Sequence, residues 1–327
     1  MDMFINFLAA AIAFGTPILY GIVGEIMNER VGHLNLGVEG MMSFGAFLGF
    51  MCGYTSESFA LAVLGAFAGG MLMSFIYVLL TVTFMANQNV AGLTLTVFGI
   101  GLSNFLGQIA RSKTADGTLR LSEAFKSQMD VHFGALENIP VIGKLLFSYN
   151  WLVYLGVIVA LLMSFYLKKT KTGLNVCAIG ENPAAADSLG VNIALYKFVH
   201  IMLGAGIMGI GGYYMGLNMS GSLSSNCWIN GYGWISVALV IFSNWNPLAA
   251  ILGTFVFGFF NTLRISGGSL ANTFPGTLGW LGNVPAQFLQ MLPFVITAIV
   301  LIAYSVRKNK HTNAPAAIGV NYYREDR

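Results

Sequence analysis

The sequence predicts an all-α, polytopic membrane protein with about eight to ten transmembrane helices. Three observations carry that prediction. Of its 327 residues 56% are hydrophobic and 9% charged, a balance foreign to ordinary water-soluble domains. The apolar residues fall in long runs separated by polar turns. The basic residues gather at the ends of those runs, as membrane topology requires. A net charge of +3 is too small to imply a nucleic-acid partner.

The first apolar run, Phe4 to about Gly24, is long enough to cross a hydrocarbon core of roughly 30 Å, and Pro17 is positioned to kink it. Asp2 and the lack of a basic leader favour a retained span over a removable signal peptide. Glu25, Asn28, Glu29 and Arg30 read as a polar turn, after which Leu34 to Gly53 re-enters the membrane. Gly45, Gly49 and Gly53 recur four apart and put a bare stripe on one helix face for close packing. Phe59 to Met85 is a third run and Val90 to Ala110 a fourth, the latter with enough Thr, Ser, Asn and Gln to turn one face inward. Residues 111–149 form a long mixed-charge loop. Trp151 to Leu167, Phe198 to Leu217, the shorter Trp234 to Phe242, Leu248 to Leu263 and Phe288 to Val306 complete the spans. Short, glycine-interrupted segments of this kind line cavities in transporters.

Lys168, Lys169, Lys171 and Lys197 flank spans on one side, and tracing the crossings puts Arg30 and the tail cations Arg307, Lys308, Lys310, Arg324 and Arg327 there too. That side is predicted to be the cytoplasm. The 111–149 loop is then extracytoplasmic and the 307–327 tail cytoplasmic.

Glu39 is an acid inside an apolar run, where a charge costs about 3 kcal/mol. It admits two readings, a turn anchor or a polar element of a gate or pathway. For Asn35, Asn89 and Asn104 the readings are interhelical hydrogen bonding or solute contact. Tyr213, Tyr214, Trp228, Tyr232 and Trp234 suit an interfacial belt or stacking on a ring-shaped solute. No phosphate loop, H-E-x-x-H or G-x-S-x-G occurs, and Cys52, Cys177 and Cys227 lack metal-ligand spacing. The sequence thus offers no catalytic residue, no metal site and no ATP-binding motif.

The segment Lys168 to Lys197 is a polar island of thirty residues, more than two antiparallel spans need. Asn182 suits a helix N-cap, Pro183 the first helical position, and Gly190 a left-handed C-terminal cap. One short helix follows, its Ala184, Ala185 and Ala186 leaving room for a partner groove.

Gly180-Glu181-Asn182-Pro183-Ala184-Ala185-Ala186-Asp187-Ser188-Leu189-Gly190-Val191 resembles the coupling segment of ATP-binding-cassette importer permeases of the ribose, simple-sugar and branched-chain amino acid type. Glu29-Arg30-Val31-Gly32, Asn35 to Met42 and Asn244-Trp245-Asn246-Pro247-Leu248 resemble that family's cytoplasmic turns, although His33 stands where a small or aliphatic residue is expected. Gln290 to Phe294 with Ala314 to Gly319 resembles its nucleoside and simple-sugar branch. The resemblance implies one permease domain over 1–327, a multi-pass protein of the bacterial plasma membrane. It implies an ATPase-coupling site at Gly180, Glu181, Asn182, Pro183, Ala184, Ala185, Ala186 and Gly190. ATP and Mg would bind partner ATPase subunits, fused in tandem, so that this chain is a transporter subunit and not itself an enzyme. A second, related permease chain and an extracytoplasmic substrate-binding lipoprotein complete the partners, and nucleosides are the expected solute, with simple sugars such as ribose or galactose the alternative. A stand-alone secondary transporter or facilitator is the rival class, disfavoured because the span interiors lack paired ionisable residues. Asn35, Glu39, Asn89, Asn104 and Trp234 are the candidate pathway residues.

Overall fold

The computed structural model describes residues 2–115, 117–219, 221–223, 229, 231–307 and 314–323. Cys227, Trp228, Lys308, Lys310, Arg324 and Arg327 lie outside the described residues. In chain order the helices are α1 (Asp2–Arg30), α2 (Val38–Ser56), α3 (Phe59–Val78, continued by a π-helical turn, Leu79–Thr83), α4 (Gln88–Arg111), α5 (Glu123–Ser127), α6 (Ile142–Leu146), α7 (Trp151–Lys169), α8 (Lys171–Glu181), α9 (Pro183–Ser188), α10 (Ile193–Met219), α11 (Tyr232–Phe242), α12 (Pro247–Thr273), α13 (Pro275–Leu278) and α14 (Ala286–Arg307). Six of the described helices are long and apolar enough to cross a membrane: α1, α3 with its π turn, α4, α7, α10 and α12. The helices α2 and α14, at 19 and 22 residues, also have the length to span, while α11, at 11 residues, is about 16 Å long and crosses only half of a ~30 Å core.

The helices α1, α2, α3 and α10 form the centre, with α12 and α7 against α1, α4 against α2, and α14 against α12. Glycine brings the central helices together. A Cβ at Gly45 would collide with the Gly209 backbone, and one at Gly212 with the Met42 carbonyl, so α2 and α10 touch backbone to backbone. The Gly45, Gly49, Gly53 stripe thus faces α3 and α10, down to the buried Phe125 ring beneath Gly53. Phe125 belongs to the 111–149 loop, which is pinned to the end of α10 by a two-residue antiparallel ladder between β1 (Leu119–Arg120) and β2 (Ser222–Leu223).

Several boundaries differ from the sequence reading: α2 begins at Val38 and not Leu34, and α10 at Ile193 and not Phe198, which puts Lys197 inside the helix. Glu25, Asn28, Glu29 and Arg30 do not form a turn: they belong to the last turns of α1, and Glu25 and Glu29 are buried there, as Glu39 is in α2. The Glu25, Glu29 and Arg30 side chains bond other elements and Asn28 bonds Glu25, so polarity in this stretch marks contact and not solvent. The polar island contains α8 as well as the expected short helix, begun by Thr170, whose hydroxyl accepts from Gly173 N at 3.0 Å. The chain from Leu263 onward continues as α12 to Thr273.

The tail returns over the island. Ala317 N donates to Gly180 O at 2.8 Å, Asn321 Nδ2 to Met85 O at 2.6 Å, and Tyr322 Oη to Asp187 Oδ2 at 3.0 Å. Island and tail therefore share one end of the bundle, in keeping with the predicted orientation.

If the backbone contact between α2 and α10 sets the packing, Gly45→Leu should destabilise by about 1–3 kcal/mol through overpacking. The check is the apparent unfolding temperature in detergent, compared with Gly101→Leu, where a Cβ meets nothing within 4 Å. Equal midpoints for the two variants would show that the contact is dispensable.

Candidate functional site

Two regions concentrate polar chemistry. The first lies at the N-terminus of α11. The far end of this helix is tied to α1: Arg30 donates through Nε and Nη2 to Trp245 O at 3.3 and 3.1 Å, and Trp245 Nε1 donates to the Glu29 carboxylate. Since that end sits beside the end of a span, the opposite end of a ~16 Å helix lies about halfway across the membrane. Backbone N–H groups opened there have no water to bond and need an acceptor. Glu39, 3% exposed, supplies it, with Oε1 accepting from Gly231 N at 2.6 Å and Oε2 from Gly233 N at 2.7 Å. The carboxylate also meets the positive end of the helix dipole. Gly233 has to be glycine, because a Cβ there would sit 2.5 Å from the Glu39 backbone.

In front of this junction is a cavity of about 340 Å³ lined by Tyr232, Trp234, Phe257, Phe260, Asn261 and Arg264, among others. Tyr232 Oη accepts from Asn261 Nδ2 at 2.7 Å, and Asn261 Oδ1 accepts from Arg264 Nε and Nη2 at 3.3 and 3.2 Å. Aromatic walls with a few oriented polar groups suit a flat, hydrogen-bonding solute.

Of the residues expected along a pathway, Trp234 lines this cavity, and Glu39 stands behind its wall, holding the helix that forms it. Asn35 is fully buried elsewhere: its Oδ1 accepts from Gly37 N at 2.8 Å and its own N–H donates to Glu25 Oε1 at 3.1 Å, shaping the turn into α2. Asn89 is exposed at the start of α4, and Asn104 is half-buried further along it. Asn261 and Arg264 were not singled out as pathway residues in the sequence, whereas Tyr232 stood there among the aromatics that suit an interfacial belt or stacking on a ring-shaped solute. The available signal was Arg264, a cation inside an otherwise uncharged 27-residue helix.

The second region is the island. The side chain of Asn182 caps α9 by accepting from Ala185 N at 3.0 Å, Pro183 takes the first helical position, and Gly190 has φ +81°. Ala186 is buried against the bundle, while Glu181, Asn182, Ala185 and Leu189 point outward, Leu189 at 84% exposure. Leu189 is thus a large apolar side chain left exposed at the end of a short, doubly capped helix.

The chain matches the model of a family described as the branched-chain amino acid transport system / permease component, over residues 6–303. It is 34% identical to the nucleoside ABC transporter permease protein NupC of Lactococcus lactis, with 96% of each chain covered. It is 29% identical to the guanosine ABC transporter permease protein NupQ of Bacillus subtilis, over 97% of this chain and 96% of that one. It is also 29% identical to a putative glucose ABC transporter permease protein, TsgC13, of Haloferax volcanii, over 99% of each. No solved structure matches.

Glu39→Ala leaves two buried N–H groups without an acceptor and should cost about 3 kcal/mol or more. Glu39→Gln keeps one carbonyl oxygen and should fall between Ala and the parent. Unfolding midpoints of the three purified proteins provide the test, and an undiminished midpoint for the alanine variant would remove the anchoring role.

Proposed function

We infer from a fixed premise, that this chain belongs to the branched-chain amino acid transport system / permease component family, that it is the membrane path of an ATP-driven nucleoside importer. The observation that carries the coupling half of this reading is α9, a capped helix anchored inward through Ala186 with Ala185 and Leu189 outward. A separate ATPase subunit, binding ATP and Mg, would receive that face in a groove. Gly180, Glu181, Asn182, Pro183, Ala184, Ala185, Ala186 and Gly190 shape the docking segment. Closure of the nucleotide-loaded ATPases would push α9, and through α8 the end of α1, where Gly180 packs against the Gly32 turn.

The pore would be completed by a second, related permease chain, with the ATPases fused in tandem and solute delivered by an extracytoplasmic binding lipoprotein. Trp234 stacks on the solute as it passes the α11 junction, Glu39 fixes that junction, and Asn35, Asn89 and Asn104 shape the helices around it. The solute assignment is supported by the NupC and NupQ relatives, a nucleoside and a guanosine permease, and by the aromatic cavity. A simple sugar is the second reading, supported by the glucose relative.

Two measurements test these statements. Ala185→Glu puts charge on the docking face, and Gly190→Val forces a β-branched residue into a left-handed conformation. Both should abolish solute-stimulated ATPase activity of the reconstituted complex while the chain still inserts, and normal stimulation in both would reduce α9 to a connector. For the solute, uptake of radiolabelled guanosine, adenosine, ribose and galactose is compared with and without this chain. Nucleoside uptake should be lost; loss of sugar uptake alone would overturn the nucleoside assignment.

A further inference from the structure

Beneath α9, at the end of the bundle that carries the island, lies a second cavity of about 440 Å³. The α9 and α10 junction (Asp187, Gly190 to Ala194), Lys197, the π turn after α3 (Thr81, Val82), His33 and the tail (Asn321, Tyr322) all border it. Its polar groups are unevenly satisfied. Tyr322 Oη donates to Asp187 Oδ2 at 3.0 Å, and Asn321 is bonded to Gln88 and to the Met85 and Ala86 carbonyls. His33, 1% exposed, has neither Nδ1 nor Nε2 bonded to any described residue. Lys197, 5% exposed, has no hydrogen-bond or ion-pair partner among the described residues.

Buried charges are paired, and buried polar nitrogens are bonded, in nearly every folded protein. Lys197, with no ion-pair partner among the described residues, lies beside an orphaned imidazole and the first turn of a 27-residue helix, and together they suit a bound anion. We propose that this cavity binds a phosphate-bearing anion, held by Lys197, His33 and the N-terminal turn of α10. The volume exceeds what a bare phosphate fills, and Val82, Val191, Ile193 and Tyr322 give it apolar and aromatic walls, so the ligand carries an organic portion beside its phosphate. Asp187, in α9, has one oxygen bonded to Tyr322 and is the one acid among the described residues that line the cavity. Burial and the Lys197 charge push the His33 ring well below the usual histidine range, and a neutral imidazole still offers one N–H donor to the anion. Because the lining joins α9, α10 and the tail, the bound anion clamps the docking helix to the bundle.

The phosphate can come from a cytosolic metabolite or a lipid headgroup, and the experiment separates them. The assembled complex is placed in nanodiscs of phosphatidylcholine, and its unfolding midpoint is followed with inorganic phosphate or guanosine 5′-monophosphate, then again with phosphatidylglycerol in the disc. The monophosphate should raise the midpoint by about 3 °C at saturation. Its apparent affinity should fall at least tenfold in Lys197→Met and in His33→Leu, and survive in Lys197→Arg, which keeps the charge. A rise only with phosphatidylglycerol, lost in Lys197→Met, assigns the same site to a headgroup. If no phosphate species gives a response that depends on Lys197 and His33, the proposal is overturned. Uptake plays no part in this readout, so it stands or falls apart from the nucleoside assignment.

Discussion

The structure depends on the bond between the Glu39 carboxylate and the N-terminus of α11. A polypeptide that stops being helical inside a bilayer exposes amide groups to hydrocarbon, and each unsatisfied group costs several kcal/mol. The chain breaks between α10 and α11, and α11 starts about halfway across. That start is tolerable because a carboxylate from α2 takes two of the opened N–H groups. A carboxylate alone in hydrocarbon would be as costly as the broken helix. Placed together, each removes the penalty of the other, and the break becomes a place where side chains such as Trp234 and Tyr232 can face a cavity.

The same logic recurs where the bundle meets the island. Glu29 and Arg30 at the end of α1 hold the ring N–H and the carbonyl of Trp245, which fixes the other end of α11. Gly180 at the end of α8 lies against the Arg30 carbonyl and the Gly32 turn, and its own carbonyl accepts from the tail. An unbroken series of contacts therefore runs from α9 through α8 and the end of α1 to α11 and Glu39. Contact alone does not transmit force. What favours transmission here is stiffness, since glycine-mediated backbone contact between the central helices leaves little slack for side chains to absorb a push.

Much of this was legible in the sequence because membrane solvation writes long, simple signals. Apolar runs located the spans, and Asn182, Pro183 and Gly190 marked α9 to the residue, since capping is local chemistry. What the sequence concealed was non-local. Glu25 and Glu29 looked like a solvated turn because a run of polar residues says nothing about partners 200 residues away, yet Glu29 is bonded to Trp245. Asn35 stood out as an intramembrane polar residue, but its side chain serves its own turn. Tyr232, Asn261 and Arg264 sit on two helices, and only folding makes them one hydrogen-bonded chain.

A half-length helix held at both ends by a few polar contacts is a good moving part. Its 11 residues keep their internal hydrogen bonds whatever its tilt, so rotation costs little internal energy. The anchors differ in kind. At the α1 end, the Glu29 carboxylate and the Arg30 guanidinium grip one residue, Trp245, in an arrangement that acts as a pivot. At the Glu39 end, the bonds are to backbone N–H groups, which any rearranged N-terminus still presents. A pivot at one end and a re-formable contact at the other allow α11 to swing while its opened amides stay satisfied, and the cavity wall that carries Trp234 swings with it.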